Sequence, residues 1–82
     1  IDLKMTLEIL TPDKSLWKGE ASLIQLPGTD GSFEILNNHA PLIAVLKQGK
    51  VRIVTPDKNT QFVDIEGGII EVLNNNIIIL AE

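Results

Sequence analysis

The strongest constraint on this chain is that its apolar residues alternate with polar ones in runs of only five to eight residues, each cut off by a turn signal. Residues 3–10, LKMTLEIL, put Leu3, Met5, Leu7 and Ile9 on one side and Lys4, Thr6 and Glu8 on the other. A period of two is that of a half-buried strand. Thr11-Pro12-Asp13-Lys14 follows, with Pro12 pre-setting φ for a turn. A short piece, Ser15–Lys18, leads to Gly19 and a strand over Glu20–Leu26, which Pro27 is expected to end because it has no N–H to donate. Leu42–Lys47 reads as a strand or a short turn of helix, and Gln48-Gly49 as a hairpin turn into the strand Lys50–Thr55. A second TPDK, at 55–58, is read as reused turn chemistry, because the residues after the two copies differ. Gln61–Glu66 is a further strand, and Gly67-Gly68 marks a bulge or a close backbone approach. Ile69–Leu73 and Ile77–Leu80 flank a hairpin loop of three asparagines, the best residues after glycine for positive φ.

The pattern predicts an all-β fold, a two-sheet β-sandwich of about nine to ten short strands, with residues 1–82 as one domain. A chain this short buries roughly 60–65% of its unfolded surface, so its margin of stability is thin. The run IIIL at 77–80 lacks polar alternation. Either both its faces are covered or one of them meets a partner.

Charge and composition exclude several functions. Seven basic against eleven acidic residues give −4 with no basic cluster, which argues against nucleic acid and against a polybasic membrane patch. Without cysteine there is no disulfide framework, thiolate zinc site or thiol nucleophile. No apolar run is longer than that of Ile77–Ala81, which is far short of the roughly 18 residues that span a bilayer, and no signal peptide is visible.

The chemistry-bearing residues are sparse. His39 is the sole histidine, and Ser15, Ser22 and Ser32 lie outside any nucleophile-elbow context. Asp30 and Glu34, four apart, read as solvated charges; the pair Gly28 and Gly31 has no lysine and no following helix, so it is no phosphate cradle. No catalytic residue, metal site or cofactor is expected. Trp17 is expected to pack over one end of the sandwich. What remains is a β body carrying one turn-rich, partly apolar segment, LPGTDGSFEILNNHAPL at 26–42. Such segments on rigid scaffolds are typical binding surfaces. Phe33, Ile35, Leu36 and Leu42 are either anchors for a partner or core beneath that segment.

LPGTDGSFEILNNHAPLIAVLKQG at 26–49, then VRIV, then GGIIEVLNNNIIILAE at 67–82, resembles the epsilon subunit family of F-type ATP synthases. The match runs from about Met5 to Glu82 and keeps the G-x-x-G loop, the HAPL element, Gly49 and the GGxxEV element in family order. The resemblance implies a non-catalytic central-stalk, or rotor, subunit that couples rotation of the c-subunit ring to the gamma subunit in a proton-translocating enzyme. Its place would be peripheral, on the cytoplasmic face of a bacterial plasma membrane or the organelle equivalent, without direct insertion. It assigns Gly28, Thr29, Asp30, Gly31, Ser32, Phe33 and Glu34 to the c-ring contact, and Thr11, His39 and Ala44 to gamma. Glu34 departs from the glycine of many relatives; facing the ring, it would meet an Arg or Lys. Relatives usually continue into a helical hairpin after LAE. This chain stops at Glu82, as a natural short form or as one domain of a longer chain, so neither hairpin inhibition nor nucleotide binding is expected of it. The competing readings are a free-standing β-sandwich that binds a ligand or peptide, and a small hydrolase using His39.

Overall fold

The computed structural model describes residues 5–82, so the expected start of the first strand, Leu3 and Lys4, lies outside the described residues. Nine strands follow one another: β1 Met5–Leu10, β2 Ser15–Ala21, β3 Leu23–Gly28, β4 Gly31–Leu36, β5 Leu42–Leu46, β6 Gly49–Val54, β7 Thr60–Ile65, β8 Gly68–Leu73 and β9 Asn76–Ala81. They hydrogen-bond in the order β2-β1-β9-β8-β5-β3-β6-β7, with β4 on β3. Only β1 and β9 run parallel.

The ladder doubles back at the step from β5 to β3, where a single pair, Gly28 with Leu46, joins two layers. Layer I is β2-β1-β9-β8-β5 and layer II is β7-β6-β3-β4. From layer I, Met5, Leu7, Ile9, Ile70, Val72, Ile77 and Ile79 point inward. Ile24, Leu26, Ile35, Val51, Ile53 and Ile65 meet them from layer II. This is the alternation of the sequence turned into a two-layer core. At the open side of the sandwich, Trp17 on β2 donates from Nε1 to Gln61 Oε1 on β7 at 2.8 Å, linking the two ends of the ladder. Trp17 therefore packs over the end of the sandwich as expected, with its indole across Gly19.

Three local expectations are corrected. The run Glu20–Leu26 is two strands, because Ser22 is where the chain crosses between layers; its N–H and hydroxyl both donate to Val54 O. Pro27 does not end its strand. It lies inside β3 opposite Ser32, where β3 stops pairing with β6 and meets β5, so no ladder partner needs its missing N–H. Its carbonyl still accepts from Lys47 N at 2.8 Å. Gln48-Gly49 is a corner rather than a hairpin, since β5 pairs with β8 while β6 pairs with β3 and β7. Glycine at 49 answers a need for space: a Cβ there would come 2.9 Å from Pro27 Cβ.

The two TPDK segments occupy loops of different length, between the pairs Leu10–Ser15 and Val54–Thr60. In the second, Lys58 takes φ 69° and donates to Thr55 O, while the Thr55 hydroxyl donates to Asp57 and holds that carboxyl below its ordinary range. The asparagine loop is a two-residue turn with Asn74 and Asn75 at φ 51° and 62°, between the paired Leu73 and Asn76.

Gly68 marks the close approach that its sequence context suggested. At φ 151°, a Cβ would lie 2.3 Å from Leu80 O. Gly68→Ala is expected to cost about 3 kcal/mol or more of unfolding free energy in urea titration, through strain and clash together. For Asp57, the lowered pKa means a small stabilising contribution that is present above the ordinary aspartate range and is lost as pH falls through the depressed value. A carboxyl-carbon NMR titration should find that depressed midpoint, and Thr55→Val should move it upward.

Candidate docking surface

Segment 26–42 is a tight hairpin followed by a short link. Leu23–Gly28 and Gly31–Leu36 pair along their whole length, leaving Thr29-Asp30 as the tip. The tip is tied sideways to β5, where Thr29 N donates to Val45 O at 3.3 Å. Thr29, Asp30, Gly31 and Ser32 are exposed. Gly28 is buried, and a Cβ there would meet the Phe33 ring at 2.8 Å. Phe33 is half-buried and packs on the core. Glu34 is exposed beside Gln25 on the outer face of layer II. The apolar quartet of this segment thus divides. Ile35 is core, Phe33 and Leu42 rest on the core, and Leu36 is exposed.

The link at residues 37–41 is stapled to the β8–β9 turn. Asn75 Nδ2 donates to Asn37 Oδ1 at 2.7 Å and to Asn38 Oδ1 at 3.3 Å, and Asn38 N donates to Asn75 Oδ1 at 2.7 Å. The backbone of Asn75 also accepts from Thr6 N. His39 is half-buried next to this staple, with Nδ1 2.7 Å from Ala40 O and its N–H donating to Leu36 O. A ring nitrogen engaged with its neighbour's carbonyl, and with no serine or carboxylate hydrogen-bonded to it among the described residues, is a poor base for hydrolysis.

Thr11 and His39 stand at opposite ends of layer I. Thr11 follows Leu10, which pairs with Leu80, whereas His39 is near the Asn74-Asn75 turn. Ala44 lies between those ends on β5 and packs against the core, while its neighbours Ile43 and Val45 face out. The three positions expected at gamma therefore form no single cluster: Thr11 is on the β1–β2 turn, Ala44 is on β5, and His39 is on the link from layer II to β5.

Reasoning from single residues missed the surface between them. The outward positions of β5, β8 and β9 are Ile43, Val45, Ile69, Glu71, Leu73, Asn76, Ile78 and Leu80. All but Glu71 and Asn76 are aliphatic, with Ile43 71% and Val45 57% exposed. The ladder puts them side by side: Val45 opposite Ile69, Ile69 opposite Leu80, and Glu71 opposite both Ile43 and Ile78. A contiguous aliphatic face in water marks an interaction surface. The signal was in the sequence, because LIAVL and IIIL do not alternate. Layer II is different outside. Gln25 is hydrogen-bonded to Ser32 and Arg52, and Lys50 pairs with Asp64 at 2.8 Å. Leu36 and Phe62 are exposed there as well.

Comparison with known proteins gives a consistent result. The family described as ATP synthase, Delta/Epsilon chain, beta-sandwich domain matches residues 4–82. The ATP synthase epsilon chain of Chlorobium limicola is 46% identical over 81 residues, covering 99% of this chain and 92% of that one. That of Leptospira borgpetersenii is 40% identical over 79 residues, covering 96% of this chain but 61% of the relative. Among solved structures, a chain of the Euglena gracilis mitochondrial ATP synthase (OSCP/F1/c-ring) shares the fold with a TM-score of 0.91 at 17% identity, over 99% of this chain and 52% of that one. A chain of the Tetrahymena thermophila mitochondrial ATP synthase central stalk/c-ring superposes with a TM-score of 0.76 at 25% identity, over 95% of this chain and 63% of that one.

Asn75→Gly keeps the positive φ of the turn and removes the staple. It should lower exchange protection of the Asn38 amide by about tenfold or more and destabilise the fold by about 1–2 kcal/mol, measured by NMR hydrogen exchange and denaturant titration.

Proposed function

This chain belongs to the delta/epsilon β-sandwich family of ATP synthases, and from that premise we propose that it is the rotor piece that makes the gamma subunit turn with the c-ring. It is not an enzyme by itself. The observation that carries the reading is the aliphatic outer face of β5, β8 and β9, which in a free-standing domain stays in water. In this reading gamma covers that face, with Thr11 and His39 at its two ends and Ala44 as backing behind Ile43 and Val45. The exposed tip Thr29–Ser32 meets the c-ring, Gly28 and Phe33 hold the tip in place, and Glu34 reaches a cation of the ring from the flank.

The mechanical demand suits the fold. Torque that enters at the hairpin tip has to leave through layer I without the domain yielding. The tip is braced on β5 by Thr29 N–Val45 O and Lys47 N–Pro27 O, and β5 is laddered to β8 along its whole length. A close-packed core transmits strain with little compliance. The domain sits at the cytoplasmic side of a bacterial plasma membrane, or its organelle counterpart, through its partners.

A partner contact of this permanent kind should bury at least roughly 1,000 Å² with an apolar centre. Ile43→Asp and Leu80→Asp, each at a position exposed in the free chain, should lower affinity for gamma by about a hundredfold or more in calorimetric titration, with no loss of thermal stability. A wild-type chain that fails to bind gamma would overturn the proposal.

A further inference from the structure

Glu71 is the one ionisable group at the centre of the aliphatic face. Along β8 it lies between Ile69 and Leu73, which point the same way, and across the ladders it is opposite Ile43 and Ile78. Its flanking positions in the plane of the sheet are therefore aliphatic. It makes no hydrogen bond or ion pair with any described residue. The cation on the same row, Lys18, is three strands away, roughly 14 Å at the usual strand spacing, and stands opposite Glu8.

A carboxylate so placed is fully solvated only while the face is bare. A flat apolar cover would strip its water and return nothing, which is strongly unfavourable for a charge. The same group argues against two other occupants. In a two-fold pairing of two copies through the centre of this face, Glu71 would confront Glu71. An anionic lipid surface would meet a carboxylate where a membrane-binding face presents lysine and arginine.

We infer that the partner surface covering this face carries an arginine at the centre of an otherwise apolar contact, and that Glu71 receives its guanidinium in a charge-assisted, bidentate pair. Arginine fits better than lysine because its guanidinium is planar, more weakly hydrated and matched to a carboxylate. Glu71 is then the specificity-determining charge of the face, which accepts an apolar surface with a central cation and rejects one without it. The inference rests on the reading that gamma docks here.

The test is calorimetric titration of the full chain with gamma, at low and at physiological salt, using wild type, Glu71→Gln and Ile43→Asp. Glu71→Gln is isosteric, and because Glu71 has no partner among the described residues its thermal unfolding should match wild type. Its affinity for gamma should fall roughly tenfold or more, and the salt dependence of binding should flatten. If Glu71→Gln binds as well as wild type or better while Ile43→Asp abolishes binding, the central pair is disproved and the docking reading stands. If Ile43→Asp binds normally, or wild type does not bind, the docking reading fails and the inference with it. Sedimentation of wild type as a dimer that Ile43→Asp dissociates would assign the face to a second copy and overturn both.

Discussion

Nearly everything in this molecule depends on the strand pair β8–β9 and its neighbour β5 being aliphatic on both sides. The inner residues, Ile70, Val72, Ile77, Ile79 and Leu46, close the core against layer II. The outer ones, Ile43, Val45, Ile69, Ile78 and Leu80, remain in water. A domain of this size has little apolar surface to spare for its own stability. Strands that place half of theirs outside are made for an assembly rather than for solitary existence.

The centre of layer I is also where the first and last described strands meet. β9 pairs with β8 on one side and, in parallel, with β1 on the other, so the first and last described strands lie together in the middle of the layer. The outer face is thus built on the most completely laddered part of the fold. The hairpin tip projects from the opposite side of β5 and is bonded to it. The face and the tip share a single strand, β5, as their common support.

Much of the fold was legible because period-two alternation and turn chemistry are local. Met5, Leu7 and Ile9 go inward as their spacing requires, and the asparagines take the positive φ that their side chains tolerate. The errors came where a long-range contact decides the outcome. Pro27 is tolerated because β3 changes partner there, and Gly49 is small because Pro27 lies across it; neither fact is written near those residues. The site divided in the same way. The tip of segment 26–42 could be read from its turn residues, but whether Phe33 or Leu36 faced out could not, since each apolar position is equally suited to core or contact until its layer is known. The aliphatic face was half visible in the unbroken run at 77–80. It became a surface only when the ladder set β5, β8 and β9 side by side.

The central claim is that this face, and not the outside of layer II, is what a partner covers. Methyl-labelled NMR of the chain with and without gamma tests it directly. The account predicts that the methyl signals of Ile43, Val45, Ile69, Leu73, Ile78 and Leu80 shift and lose solvent contact while those of Leu23 and Val54, in layer II, stay unchanged. Movement of the Leu23 and Val54 signals with the first six unaffected would contradict it.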